Sequence, residues 1–305
     1  MMKRICSVIY LWATVYCNQT DLILALSTLT AFTRIVCVPA GTCTVPSNNN
    51  VIDIRIVTQG NTNPCPRGQS PCAVTVGANQ CGLRFATNIS NVDGFASPGA
   101  FPWQVYLVNQ TGYTGSGVLI NEYHVLTAAH KVYLNGASPE VIGVFLGVHH
   151  PQQLSVRYSV QRVLLHPNFN PTTLFNDIAI LRLSIPVAPL PQTLVNSVCL
   201  PSQYQIFEGQ LITNTCYTSM SRDFVLGVNN AKRYLDPIGE LCAGGQGSRD
   251  ACVHDGGAPL TCEVNGRFYV AGLVLWGKGC GLPGIYGVYA NVTHYVNWIS
   301  SAMAY

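Results

Sequence analysis

The chain has 305 residues, of which 48% are hydrophobic and only 10% are charged. This composition excludes disorder over most of the length, because disordered segments combine high charge with few apolar groups. The 16 Lys and Arg residues and the 13 Asp and Glu residues leave a net charge of +3, without basic runs. We therefore expect neither nucleic acid nor a charged membrane surface as a partner.

The N-terminus has the build of a secretory signal peptide. Residues 1–4 include the basic pair Lys3 and Arg4, and the apolar run at residues 5–17 is shorter than the roughly 20 residues that span a bilayer. A second apolar run at residues 22–32 leaves the end of the signal open between residue 17 and about residue 31. An uncleaved signal anchor is the alternative. We expect a secreted, extracellular protein without a membrane span.

The 13 cysteines are scattered and include no C-x-x-C pair. This pattern is typical of disulfides in a secreted chain and does not support a zinc ribbon or a redox centre. The pair His149 and His150 lacks an obvious third ligand, and residues 147–162 contain no Asp or Glu for a calcium loop. We expect no metal and no cofactor. In a secreted chain, four sequons are candidate glycosylation sites: Asn18, Asn88, Asn109 and Asn291.

The segment at residues 33–80 differs from the rest of the chain. It holds Cys37, Cys43, Cys65 and Cys72, with Pro, Asn, Gly and Thr between them and one strand-like stretch at residues 51–57. A segment this small lacks a large core, so disulfides would have to hold it together. The four cysteines would bridge among themselves, and their three pairings stay open.

From about residue 100 onward, short β-rich runs alternate with Gly, Pro and Asn, a pattern that predicts an all-β sandwich or barrel. The final stretch at residues 292–303 carries apolar residues at helical spacing and predicts one amphipathic closing helix. The predicted strand runs are residues 103–108, 117–129, 141–148, 156–165, 177–187, 268–276 and 286–292.

Three short motifs in order carry a family resemblance. Leu-Thr-Ala-Ala-His ends at His130, Asp-Ile-Ala-Ile-Leu-Arg-Leu begins at Asp177, and Cys-Val-His-Asp-Gly-Gly-Ala-Pro-Leu-Thr-Cys spans residues 252–262. Together they resemble the His, Asp and Ser signatures of the chymotrypsin-like serine proteases. The resemblance implies two packed six-stranded β-barrels over residues 91–305, after a linker at residues 81–90 that Cys81 would tether.

The third motif departs from that family at the nucleophile. Gly256 stands where the family has its serine, so His130 would have no hydroxyl to deprotonate. His254 stands where the family has a glycine whose N–H forms half of the oxyanion hole, and a side chain there should disfavour that backbone geometry. Asp255 and Gly257 would keep the shape of the loop. His130 and Asp177 are then interpreted as a relict hydrogen-bonded pair.

The activation segment is altered as well. Family enzymes are cut after Arg or Lys ahead of Ile-Val-Gly-Gly, whereas residues 90–94 read Ser-Asn-Val-Asp-Gly and the nearest upstream basic residue is Arg84. Asp255 would then lack the new amine that it pairs with in active members. The resemblance therefore implies a permanently zymogen-like second barrel.

The same resemblance implies that part of the family's substrate pocket is retained. Asp250 matches the acidic floor of trypsin-like enzymes, and Gly277 and Gly287 match the small residues of the pocket walls. Leu275 replaces a polar residue before Trp276. An Arg-tipped loop docking on Asp250 and a collapsed relict pocket are equal alternatives.

The family pattern also implies disulfides from Cys81 to Cys199, Cys216 to Cys262 and Cys252 to Cys280. The bridge beside the catalytic histidine is lost on both sides, where Gly115 and Lys131 stand. The interval between Cys216 and Cys242 is short and is expected to lack a strand, a short helix and a cysteine. Cys242 would then be the odd thiol, in a truncated second barrel or in a sequence that has lost an exon.

The upstream cysteine segment resembles the clip domain of arthropod serine protease homologues, although it has four cysteines where the usual clip has six. With a glycine at the nucleophile position, it resembles the non-catalytic, masquerade-like clip homologues. The resemblance implies a secreted cofactor or regulator in an innate-immune cascade, with an active clip protease or prophenoloxidase in melanisation as partner. Oligomerisation stays open. The alternatives are a trypsin-like endopeptidase with weak or unusual activity and an incomplete gene product that folds poorly.

Overall fold

The structure is a computed structural model of the chain. It describes residues 16–19, 32–39, 69–76, 81–84, 96–136, 138–150, 152, 154, 156–187, 195–207, 214–222, 227–247 and 250–304. The chain divides into two compact units, one formed by residues 1–22 and 81–305 and the other by residues 23–80.

The smaller unit contains one antiparallel strand pair. Strand β2, Phe32–Pro39, pairs with strand β3, Gln69–Val76, so that Val36 lies opposite Cys72. The predicted strand at residues 51–57 and the predicted bridges among Cys37, Cys43, Cys65 and Cys72 lie outside the described residues and side chains.

The larger unit begins its main fold with a closed barrel of six antiparallel strands. In the order β4-β5-β6-β9-β8-β7, each strand pairs with its neighbour and β7 returns to β4. Branched and aliphatic side chains such as Val105, Leu119 and Leu181 fill the interior. The strands are β4 (Gln104–Asn109), β5 (Gly112–Asn121), β6 (His124–Thr127), β7 (Gly143–Leu146), β8 (Arg157–Leu165) and β9 (Ala179–Leu183).

The sequence prediction treated residues 117–129 as one run, whereas the structure divides them between β5 and β6 at a tight turn. Asn121 causes the division, because its side-chain oxygen accepts the backbone N–H groups of Tyr123 and His124, each at 2.9 Å. Such a side-chain cap replaces strand pairing with a turn. The hairpin between β4 and β5 is closed in the same way by Asn109, whose Oδ1 accepts the Thr111 N–H at 2.9 Å.

The second half of the larger unit forms an open sheet. Its order is β1-β11-β12-β13-β10, with β10 (Glu240–Gly244), β11 (Pro259–Val264), β12 (Arg267–Gly277) and β13 (Tyr286–Asn291) in antiparallel contact. Strand β1, Tyr16–Gln19, covers the edge of β11 in a parallel register. No strand lies between β9 and β10 in the described part of the chain, and this half is an open sheet rather than the six-stranded barrel that the resemblance implies.

Two short helices occupy the interval that was expected to lack one. Helix α1 is Asn214–Met220 and helix α2 is Val228–Tyr234. Met220 and Ala231 are fully buried and pack with Val288 of β13. None of the helices in the described part of the chain has the length and apolar character of a membrane span.

The predicted closing helix is present as α3, Val292–Met303. Tyr295 and Ile299 on its buried face join Trp103 and Phe268 in the core between the barrel and the sheet. Asn291 precedes the helix, and its amide nitrogen donates to the Ile238 carbonyl at 3.2 Å.

The disulfides correct one of the expected pairings. Bridges join Cys81 to Cys199 and Cys252 to Cys280 as expected, but Cys216 is bonded to Cys242 and the buried Cys262 is free. The predictions of a Cys216–Cys262 bridge and of an odd thiol at Cys242 were therefore wrong. The expected bridge followed the family pattern, whereas Cys216 lies in α1 and packs in one cluster with Cys242 of β10.

This arrangement predicts the position of the free thiol. Cys262 is 2% exposed, so a small alkylating reagent should leave it unmodified in the native protein. After unfolding without reductant, peptide mass spectrometry should find the adduct at Cys262, and the substitution Cys262→Ser should remove it. Adducts at Cys216 or Cys242 would contradict the observed pairing.

Candidate functional site

A histidine and an aspartate meet where the barrel faces the open sheet. His130 lies in a 3-10 turn, Ala129–Lys131, that follows β6, and Asp177 lies two residues before the start of β9. His130 Nδ1 lies 2.6 Å from Asp177 Oδ2, and the His130 backbone N–H donates to Oδ1 at 2.8 Å. Because β6 and β9 are paired neighbours, the barrel itself fixes this pair. The geometry leaves His130 Nε2 directed away from the aspartate, as a general base requires.

The residue that faces this nitrogen is Gly256. A Cβ built there would lie 3.0 Å from His130 Nε2, so a serine at this position would bring its hydroxyl to the imidazole. The glycine carries no side chain, and the position therefore offers no nucleophile.

Lys131 fills the space that the missing side chain leaves. A Cβ on Gly256 would overlap Lys131 Cε and would lie 3.1 Å from its Nζ. On the way there the lysine stem crosses Gly115, where a Cβ would lie 2.9 Å from Lys131 Cδ. Gly115 and Lys131, where the family has its disulfide, therefore lie around the same small space as Gly256, where the family has its nucleophile. The Lys131 side chain occupies this space. Sequence reasoning missed this role of Lys131.

In the loop before Gly256, His254 has the backbone conformation of a glycine although it carries a side chain. His254 has a φ of +78° and Gly257 a φ of +85°. The expectation that a residue with a Cβ would disfavour this geometry at position 254 is therefore wrong for the fold, although the left-handed conformation remains costly for a histidine.

Neighbouring contacts hold the loop in place. The Tyr113 hydroxyl donates to the His254 carbonyl at 3.1 Å and lies 2.9 Å from the Ser116 hydroxyl. The Ser116 backbone N–H donates to the Gly256 carbonyl at 3.0 Å. Burial raises the pKa of Tyr113 to about 12, so the phenol stays a neutral donor. Tyr113 was not predicted as a site residue, and no motif marks it.

Asp255 turns back into its own loop. Its Oδ2 accepts the Cys252 N–H at 2.8 Å, and burial raises the pKa of this carboxyl above its usual range. The segment at residues 90–94, which was expected to leave Asp255 without an amine partner, lies outside the described residues.

Arg84 is described, and its guanidinium lies 4.0 Å from the centroid of the Phe268 ring and 4.8 Å from that of Phe101. Stacking between two rings does not favour Arg84 as a cleavage site.

A cavity of about 270 Å³ opens beside Gly256. Asp250 lies in its lining with Gly277, Gly287 and Leu275, so the residues expected to form the substrate pocket are brought together. Asp250 is 6% exposed; its Oδ2 accepts the Gly281 N–H at 3.0 Å, whereas its Oδ1 has no hydrogen-bond partner among the described residues. The pocket is therefore open, with a buried carboxylate oxygen that lacks a donor.

The histidines considered as metal ligands lie apart from this site. His149 and His150 are exposed in the loop after β7. In the described part of the chain, no group of three His, Cys, Asp or Glu side chains is close enough to hold a metal ion.

Comparison with known proteins agrees with this geometry. The family model described as Trypsin matches residues 92–299. The chain belongs to the trypsin family. It is 36% identical to the inactive CLIP domain-containing serine protease A3 of Aedes aegypti, over 88% of this chain and 67% of that protein.

Two vertebrate proteins are also similar to the chain. Rabbit vitamin K-dependent protein C is 35% identical over 67% of this chain and 50% of its own length. Mouse complement factor I is 35% identical, again over 67% of this chain, and over 37% of its own length. The chain thus spans half or less of these two relatives. The match to the mosquito protein supports the interpretation of the chain as a non-catalytic clip-domain homologue.

Beside the trypsin-family site, β10 carries a buried acid that sequence reasoning missed. Glu240 is 5% exposed, and its two oxygens accept the Asp236 backbone N–H at 2.9 Å and the Trp276 indole N–H at 3.3 Å. Burial raises the pKa of Glu240 to about 8, although both donors act to lower it.

Glu240 predicts a pH-dependent stability. An unfolded glutamate ionises near pH 4.3, so between that pH and about 8 the folded state is penalised increasingly for holding the neutral acid. Stability contributed by this group is present below the unfolded pKa and is lost as the pH rises through the folded pKa. The substitution Glu240→Gln should therefore raise Tm relative to the wild type more at pH 9 than at pH 5. The exposed Glu140→Gln is the control, and an equal effect at both pH values would contradict the assignment.

The crowding at Gly256 predicts a coupling with Lys131. Gly256→Ala should lower the free energy of unfolding by about 1 kcal/mol, at the low end of the overpacking range because the lysine end can shift. In a Lys131→Ala background the same substitution should cost less, since the overlap with the lysine is gone and only the 3.0 Å approach to His130 Nε2 remains. Urea unfolding measures both costs.

The matched control is Gly136→Ala, where an added Cβ lies 3.4 Å from its nearest neighbour and the backbone is α-helical. A cost of Gly256→Ala that is the same with and without Lys131 would show that the lysine lies elsewhere.

Proposed function

We propose that the protein is a secreted, catalytically inactive serine protease homologue that acts by binding. The observation that carries the proposal is the Gly256 position. The atom that should face His130 Nε2 is missing, and the Lys131 side chain fills its place. Removing the serine of such a catalytic triad lowers turnover by about 10⁶-fold. The retained His130 and Asp177 then stabilise the fold by hydrogen bonding.

The similarity to the inactive mosquito protein supports this proposal. The more specific role follows the resemblance to clip-domain homologues. We propose a cofactor or regulator in an extracellular protease cascade of innate immunity, with an active clip protease or prophenoloxidase as partner during melanisation.

One set of contacts favours a second candidate, a trypsin-like endopeptidase with weak or unusual activity. The His130–Asp177 geometry is intact, and Asp250 lies in an open pocket. This candidate needs a nucleophile from outside the Gly256 position. It predicts hydrolysis of an arginine ester that is lost in the His130→Ala variant.

The experiment adds the purified protein to prophenoloxidase with a limiting amount of active clip protease and measures the phenoloxidase produced. We expect a severalfold rise, and the same rise with the His130→Ala variant, because binding requires no general base.

A rise that His130→Ala abolishes would contradict the non-catalytic proposal. An unchanged or lowered phenoloxidase yield would contradict the role of activating cofactor. Omission of the active protease is the control, since a non-catalytic cofactor generates no phenoloxidase by itself.

A further inference from the structure

The cavity beside Gly256 carries unsatisfied groups of opposite charge. Asp250 and Lys131 both line this one cavity of about 270 Å³. A ligand with a positive group and a negative group could therefore satisfy both from within the same space.

The negative part of the cavity needs a donor. Asp250 is almost completely buried, and its Oδ1 has no partner within the described residues. A buried carboxylate oxygen without a hydrogen bond is costly, and such atoms are rare in folded proteins. A guanidinium or ammonium group entering the cavity would supply the missing donor.

The positive part of the cavity lies at the former nucleophile position. Lys131 Nζ would lie 3.1 Å from a Cβ on Gly256, and no carboxylate among the described residues forms an ion pair with it. Desolvation lowers the pKa of Lys131, while the charges of Asp177 and Asp255 act in the opposite direction. The ammonium is thus half-buried without a direct anionic partner.

A backbone donor lies beside it. Gly256 lines the same cavity, and its N–H has no acceptor in the described part of the chain. An N–H and an ammonium that converge on one space favour an anionic oxygen, because a charge-assisted hydrogen bond is roughly twice as strong as a neutral one.

We propose that this cavity binds the carboxyl terminus of a peptide that ends in arginine or lysine. The basic side chain enters toward Asp250, and the terminal carboxylate binds Lys131 and the Gly256 N–H. Such ends are the products of trypsin-like cleavage, so the protein would recognise a cleaved partner rather than an intact one. The inference rests on the proposed non-catalytic function and names the chemistry of its partner.

The charge of Lys131 is the reason for this preference. An intact peptide presents a neutral carbonyl at the former nucleophile position, which gains only an ordinary hydrogen bond from the ammonium. A free carboxylate adds the attraction of a full opposite charge at low dielectric. A serine at position 256 would have supplied no such charge.

The test is calorimetric titration of the full chain with three small probes. Nα-acetylarginine has both charges, its amide lacks the carboxylate, and Nα-acetylcitrulline lacks the guanidinium charge. We expect the Kd of Nα-acetylarginine to be at least 10-fold lower than that of either other probe. Equal affinities for the acid and the amide, or no binding of the acid, would overturn the proposal.

Variants assign the two charges. Lys131→Met should remove the preference for the acid over the amide, and Asp250→Asn should weaken both arginine probes relative to citrulline. The exposed Lys232→Met lies in α2, outside the cavity lining, and should leave all three affinities unchanged. A preference for the acid that survives in Lys131→Met would contradict the assignment, and the comparison on the wild type holds even if a variant fails to fold.

Analysis of the Nα-acetylarginine amide after the titration distinguishes the proposed non-catalytic function from the proposed binding preference. Conversion of the amide to the acid during the titration would show catalysis and would overturn the proposed function. An intact amide that binds as well as the acid would overturn only the present inference.

Discussion

The site depends on one packing constraint: the space that Gly115 and Gly256 leave open holds a single side chain, that of Lys131. Protein interiors are filled to crystal-like density, so a vacated space is occupied or it collapses. Glycines at positions 115 and 256 leave room for one extended side chain, and the aliphatic stem of Lys131 occupies that space. The change at the nucleophile and the loss of the neighbouring disulfide are therefore one structural event, since each glycine makes space for the same lysine.

The scaffold around this constraint is that of the trypsin family, with an incomplete second half. The closed barrel fixes His130 and Asp177 through adjacent strands, and the pocket is built on β12 and β13 with the loop that ends at Gly256. In the described part of the chain no strand lies between β9 and β10, and the free thiol of Cys262 lies in β11.

Much of the site could be predicted from the sequence because its motifs are local. His130 and Asp177 each stand at a fixed place beside a strand, and Asp250 lies a few residues before the loop that defines the pocket. The role of Lys131 could not be predicted, because positions 115, 131 and 256 meet only in the folded chain.

The predicted pairing of Cys216 was wrong for a similar reason. In a shortened interval the spacing did not show whether Cys216 lay on a strand or in a helix, and the partner depends on that choice. The backbone at His254 was also misjudged, because local preference at one residue is weaker than the surrounding contacts that Tyr113 and Ser116 supply.

The measurement that tests the central claim most directly is labelling of the purified protein with a fluorophosphonate, which reacts with activated serines of this family, followed by intact mass spectrometry. Active trypsin treated alongside is the positive control. The account predicts no mass increase, because Gly256 faces His130 Nε2 without a hydroxyl and the Lys131 stem fills the space beside it. A stoichiometric adduct on any serine would show that the protein has a nucleophile in working contact with His130 and would contradict the account.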